Sequence, residues 1–200
     1  MTIAILDHGS GNLHSVSRAI EEVGGKPEVT GDAGAVMAAD ALLVPGVGRF
    51  RACVRALAER GLDETVRRFA ATGRPVFGVC LGMQVFFERS EEDPDPGLGL
   101  LAGGSSRLPE DVKVPHIGWN TVEWVAAHPY VADIPSGTHF YFVHSFAPDV
   151  GDDTVGITEH GRPFASVVAR DNLFATQFHP EKSGDAGLRI YERFVREAAS

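Results

Sequence analysis

Among the 200 residues of this chain are only two cysteines, and one of them, Cys80, stands where a nucleophile would be placed. It lies in Gly78-Val79-Cys80-Leu81-Gly82-Met83-Gln84, after the apolar run Pro75-Val76-Phe77 and before the helix-like Val85-Phe86-Phe87-Glu88. A cysteine on a strand-to-helix corner, with glycine two residues before and two after, matches the nucleophile elbow with sulfur in place of the serine oxygen. The corner strains the nucleophile's backbone, and a side chain at Gly78 or Gly82 would crowd strand and helix as they fold back on each other. Free N–H groups at the helix start favour the thiolate, the reactive form. The plain alternative is a buried cysteine in an ordinary turn.

A second stretch, Gln177-Phe178-His179-Pro180-Glu181-Lys182-Ser183, supplies what such a cysteine needs. Proline disfavours helix at His179 and fixes its own φ, so the tripeptide reads as extended, with His179 and Glu181 on one face. Glutamate then holds one ring nitrogen while the other faces a thiol, the arrangement of base and orienter.

The elements that must carry these residues follow from hydrophobic pattern. Residues 3–6 form a short apolar strand that ends in Asp7-His8-Gly9-Ser10-Gly11-Asn12, and Leu13, Val16, Ala19, Ile20 and Val23 recur at helical spacing. Gly9 and Gly11 lack a third glycine at position 14, where histidine stands, so a dinucleotide fingerprint is disfavoured and Asn12 reads as a residue near a helix cap. Residues 28–30 and 41–44 continue the strands, and alternation with helices predicts a parallel sheet. The strand at 41–44 runs into Pro45-Gly46-Val47-Gly48, a side-chain-poor loop at the same strand end as Cys80, where open α/β sheets bind ligands. Its backbone N–H, with that of Leu81, suits an oxyanion, although a plain turn explains the loop equally.

Helices are expected over 50–60 and 62–72, then a surface loop over 90–96. From about 98 to 178 the chain turns β-rich, with strands expected at 119–125, 139–146, 154–158, 164–169 and 173–178, before a closing helix bearing Leu188, Tyr191, Phe194 and Val195. The expected architecture is α/β: one open mixed sheet, parallel in its N-terminal half, flanked by helices, with a β-rich C-terminal half, forming a single domain over 1–200.

A net charge of −9 and a pI near 5.3 disfavour nucleic acid or an anionic membrane as main partner. Neither a signal peptide nor a membrane span is legible, and Cys53 reads as a packed core thiol, so a cytoplasmic location is expected. Eight histidines without close ligand spacing, and two cysteines, predict no metal and no cofactor.

With these residues in view, the chain resembles the class I, triad-type glutamine amidotransferases, a flavodoxin-like fold, and among them the family of glutaminase subunits of imidazole glycerol phosphate synthase in histidine biosynthesis. The likeness runs through Gly9-Ser10-Gly11-Asn12-Leu13, Pro45-Gly46-Val47-Gly48, the elbow, Val114-Pro115-His116-Ile117-Gly118-Trp119-Asn120, Tyr141-Phe142-Val143-His144-Ser145 and the stretch from Gln177 to Ser183. One departure is His8, where the family's opening leads one to expect tyrosine; it bears on the partner interface alone.

The resemblance implies Cys80 as nucleophile, His179 as base and then acid, and Glu181 as orienter. It implies Val47, Gly48 and Leu81 at the oxyanion, and Gly46, Gln84, Glu92, Ser145 and Phe146 around L-glutamine. Asn12, Trp119, Tyr141 and Lys182 would face a cyclase/synthase (β/α)8-barrel subunit in a heterodimer and gate ammonia. Ordinary roles stay open for several: Trp119 and Tyr141 as core aromatics, Lys182 as a solvated residue, Glu92 as one acid of a charged loop. Two rival readings also stay open: a thiol hydrolase acting on γ-glutamyl or peptide bonds without a partner, and a non-catalytic subunit that keeps the fold as scaffold.

Overall fold

The structure is a computed structural model that describes residues 1–199, so the last residue of the expected 1–200 span lies outside the described residues. In chain order the elements are β1 (Ile3–Leu6), α1 (Leu13–Glu22), β2 (Pro27–Thr30), α2 (Ala33–Ala38), β3 (Ala41–Gly46), α3 (Phe50–Glu59), α4 (Leu62–Ala70), β4 (Val76–Cys80) and α5 (Leu81–Gln84). There follow β5 (Phe87–Ser90), β6 (Leu101–Arg107), β7 (His116–Trp124), β8 (Thr138–His144), β9 (Phe146–Pro148), β10 (Thr154–Glu159), β11 (Pro163–Arg170), β12 (Leu173–Thr176) and α6 (Gly184–Ala198).

Nine strands form one mixed sheet in the order β2-β1-β3-β4-β12-β11-β10-β7-β8. The pairings from β2 to β12 are parallel and those from β12 to β8 antiparallel. This is the expected division between the two halves of the chain. Burial on both faces explains why β1 and residues 41–44 of β3 are wholly apolar rather than alternating, whereas the edge strand β2 carries Glu28 and Thr30 and is not buried. Ile3 and Ile5 face a core shared with α1 and α6, while Ala4 and Leu6 face one shared with α3 and α4.

The topology explains how residues a hundred positions apart meet. β12 lies parallel beside β4 with Thr176 opposite Val79, so the chain leaves β12 next to the point where β4 delivers Cys80. β3 lies on the other side of β4 with Gly46 opposite Cys80. Three segments therefore open at one edge of the sheet, the carboxyl ends where α/β folds place their ligands.

Four local expectations need amendment. β3 continues through Pro45 and Gly46, so the side-chain-poor loop is only Val47-Gly48-Arg49. Its far neighbour β1 pairs only as far as Ile5 with Leu43, which frees Pro45 from supplying an N–H on that side. The helix after the elbow is a single turn, Leu81–Gln84, and Val85-Phe86-Phe87 leads into β5 instead of continuing it. All three apolar residues are buried, and a short apolar run has no period that separates helix from strand. A three-stranded sheet, β5-β6-β9, accompanies the large one, and β6 was not legible because its Leu-Ala-Gly-Gly-Ser-Ser-Arg is poor in β-branched and aromatic residues. Finally, Pro180–Lys182 is a turn of 3-10 helix, with extended backbone at His179 alone (φ −100°, ψ 100°).

Candidate active site

Cys80 ends β4 in a left-handed conformation, φ +55°, one of two non-glycine residues at positive φ among the described residues. Such strain persists only where the surroundings impose it. The two flanking glycines show what imposes it. A Cβ on Gly78 would stand 2.6 Å from the Phe86 ring and 3.0 Å from the Gly82 carbonyl, so β4 and α5 do fold back on each other there. A Cβ on Gly82 would stand 1.9 Å from the Val44 carbonyl oxygen, so this glycine serves a close approach to β3.

His179 is buried, and its Nδ1 lies 2.8 Å from Glu181 Oε1, with the carboxylate 1% exposed. The 3-10 turn achieves what the extended reading assumed: Glu181 reaches back to the ring of the residue that starts the turn. Its second oxygen lies 3.4 Å from the Tyr191 hydroxyl of α6, which donates to it. Burial of the imidazole pushes its pKa down, but the Cys80 sulfur and then Glu181 push it up more, to about 10. Nε2 makes no hydrogen bond of good geometry among the described residues, yet Cys80 is close enough to raise the ring pKa both as a charge and as a hydrogen-bond acceptor. The free Nε2 is the nitrogen a proton transfer needs.

Cys80 and His179 open into a cavity of about 380 Å³, which suits a small amino acid. Of the expected residues, Val47, Gly48, Leu81, Gln84, Glu92, Ser145 and Phe146 line it. Gly46 is not in the lining; it sits behind, where a Cβ would stand 2.9 Å from the Gly82 nitrogen. Glu92 accepts from the Phe50 N–H at 2.9 Å and lies 3.7 Å from the Arg49 guanidinium, which holds it at the cavity mouth.

The residues expected to face a partner divide. Trp119 and Tyr141 are cross-strand neighbours on β7 and β8, with ring centroids 6.1 Å apart, and Lys182 Nζ lies 5.7 Å from the Tyr141 ring. Trp119 is 56% exposed, which removes the core-aromatic alternative for it. Asn12 is at the start of α1, a helix that packs against the 3-10 turn carrying Lys182, and its side chain makes no capping bond. His8 is 2% exposed and its Nε2–H donates to the Pro45 carbonyl of β3 at 3.0 Å, so its side chain lies inside the chain rather than on an exposed face. Cys53 is the expected core thiol, its pKa pushed up to about 12 by burial.

Sequence reasoning missed the Gln177 side chain as a neighbour of Cys80. It is fully buried, and its Nε2 points at Cys80 Sγ from 3.6 Å. Its position two residues before His179 was the available signal.

A strained cysteine at a strand end, a buried His-Glu pair beside it and a glycine loop across a small-molecule cavity together define a class I glutamine amidotransferase. The family model described as Glutamine amidotransferase class-I matches residues 4–198. Among curated relatives, imidazole glycerol phosphate synthase subunit HisH of Symbiobacterium thermophilum is 47% identical over 97% of this chain and 93% of the relative. The subunit of the same name from Neisseria meningitidis is 44% identical over 98% of this chain and 99% of the relative. In fold, the chain is similar to a solved glutamine amidotransferase, with a TM-score of 0.77 at 19% identity, covering 99% of both chains. It is also similar to a chain of PurLQS from Thermotoga maritima, with a TM-score of 0.73 at 15% identity, covering 98% and 97%. The chain belongs to the class I glutamine amidotransferases and, within them, to the HisH subunits of imidazole glycerol phosphate synthase.

Proposed function

We propose that Cys80, His179 and Glu181 form the catalytic triad with which this glutaminase subunit releases ammonia from glutamine. The observation that carries the reading is the buried His179–Glu181 bond of 2.8 Å beside a cysteine held at φ +55°.

The Cys80 thiolate attacks the side-chain amide carbon of L-glutamine, and the carbonyl electron pair moves onto oxygen. Leu81 N–H and an N–H from the Val47-Gly48 loop take up that charge. His179 Nε2–H protonates the leaving nitrogen, the C–N bond breaks, and ammonia departs from a γ-glutamyl thioester. Water then gives its proton to His179 and adds to the thioester, and the C–S bond breaks to return the thiolate and glutamate. Glu181 orients the ring throughout and favours its charged form. Gln84, Glu92, Ser145 and Phe146 surround the substrate.

Ammonia near neutral pH is mostly protonated and no longer nucleophilic, so it must pass directly to the site that uses it. As a HisH subunit, the chain supplies the nitrogen from which the complex makes imidazole glycerol phosphate and an aminoimidazole carboxamide ribotide in histidine biosynthesis. The finer reading is a heterodimer with a (β/α)8-barrel synthase, docked on the face of Trp119, Tyr141 and Lys182, with Asn12 at its border. Both cysteines are free, which suits the reducing cytoplasm, and no helix among the described residues is long and apolar enough to cross a membrane.

The test is Cys80→Ala in the complex. Glutamine-dependent synthesis is expected to vanish while synthesis from added ammonium salts persists, because the partner's site is untouched. Retained glutamine turnover, or parallel loss of both activities in an assembled complex, would overturn the role given to Cys80.

A further inference from the structure

The mechanism leaves two buried histidines without a task. His116 on β7 and His144 at the end of β8 are 5% and 6% exposed, and His116 Nδ1 lies 3.0 Å from His144 Nε2. Their tautomers follow from the groups at either end. His144 Nδ1 lies 2.9 Å from the Phe146 carbonyl, which can only accept, so Nδ1 carries the proton and Nε2 is an acceptor. His116 Nδ1–H therefore donates to that acceptor. Its own Nε2 is left to accept from Asn120 Nδ2 at 3.3 Å, an amide held by the Glu159 carbonyl at 3.0 Å.

The same Phe146 carbonyl accepts a second bond, from Gln84 Nε2 at 2.8 Å. Both lone pairs are then used, one by each donor. The shared contact fixes which end of the Gln84 amide is which, because nitrogen must face the carbonyl. Gln84 Nε2 also donates to Gln177 Oε1 at 2.9 Å, which leaves Gln177 Nε2 directed at Cys80 Sγ from 3.6 Å. A run of hydrogen bonds with fixed donors and acceptors thus reaches from β7 to the nucleophile, with one acceptor for each N–H that takes part.

We propose that His144, set in one tautomer by the Phe146 carbonyl and held there by the bond from His116, is a positioning residue for the glutamine pocket: through the Phe146 carbonyl it holds the backbone at 145–146 and the Gln84 amide in the geometry that receives glutamine. The proposal rests on the glutaminase reading above. Burial supports it, since it lowers the His116 pKa to about 4, with His160 adding, and the His144 pKa to about 3, so the pair stays neutral where the enzyme works. A protonated pair would put N–H against N–H and break the run.

The experiment is steady-state kinetics on the complex with its barrel partner, comparing His144→Phe, which keeps an aromatic ring and loses the donor, with His144→Asn, whose amide nitrogen replaces Nδ1. His144→Phe is expected to raise KM for glutamine about tenfold, the size of one lost buried hydrogen bond, with a much smaller change in kcat. His144→Asn should recover most of that loss, and ammonia-dependent synthesis should be unchanged in both. Equal KM values in the two variants, or a fall in kcat at constant KM, would overturn the proposal. If His144→Phe does not assemble, the ring 15N shifts of the unaltered, histidine-labelled complex decide. The proposal requires the Nδ1–H tautomer at His144 and a shift that moves when a glutamine analogue fills the pocket; the Nε2–H tautomer or indifference to the analogue overturns it. Absence of glutamine turnover in the unaltered complex would instead sink the glutaminase reading.

Discussion

Replacing Glu181 by glutamine tests how the triad divides its work. The carboxylate is buried and 2.8 Å from His179 Nδ1, and with Cys80 it outweighs burial to raise the ring pKa to about 10. Because that pKa is raised, the imidazolium form of His179 is present below about pH 10 and lost above it. A hydrogen bond to a charged group contributes about 1.5 to 3 kcal/mol, so neutralising Glu181 should move the alkaline limit of activity down by about one to two pH units. That still leaves the ring charged at pH 7. The remaining loss is one of orientation: for the amide oxygen to face Nδ1–H its nitrogen must face Tyr191, whose hydroxyl then has to accept where it now donates. We therefore expect Glu181→Gln to slow thioester formation by about 10²-fold at pH 7, against about 10⁴-fold for His179→Asn, which removes the proton carrier. The assay is the single-turnover rate of thioester formation in the assembled complex, from pH 6 to pH 10. A Glu181 variant as inactive as the His179 variant at pH 7, or an alkaline limb that does not move, would show that the carboxylate does more than orient and tune.

Three further outcomes are expected. Gly48 has φ +98° with no heavy atom within 4 Å of an added Cβ, so Gly48→Ala meets backbone strain alone. A docked partner that selects the peptide orientation aiming a loop N–H at the oxyanion would act through this residue, so the partner-stimulated glutaminase rate should change far more than the basal rate, and equal effects on both would show that the loop does not transmit the partner's effect. Gly82→Ala would place a Cβ 1.9 Å from the Val44 carbonyl and should destabilise the chain by about 3 kcal/mol or more, read as a lowered midpoint in urea; a near-native midpoint would mean that the elbow has slack. Trp119→Ala removes a 56% exposed ring from the proposed docking face, so affinity for the barrel partner, measured by calorimetry, should fall at least tenfold while stability barely changes; unchanged affinity would move the interface elsewhere.

Much of this protein is legible in residue order because the relevant physics is local. Glycines spaced two either side of a cysteine announce a strained corner whatever surrounds it, and wholly apolar strands alternating with amphipathic helices announce a parallel sheet. The His-Pro-Glu spacing predicted the right pairing even though the backbone reaches it by a 3-10 turn, since either path leaves two side chains on one side of a short segment. What no local pattern contains is adjacency across the chain. Strand order alone places β12 beside β4 and so brings His179 to Cys80. Burial alone turns His8 inward to the Pro45 carbonyl. The directions of hydrogen bonds through His116, His144, Gln84 and Gln177 exist only once those side chains are packed without water, because each donor's orientation is set by an acceptor far away in sequence.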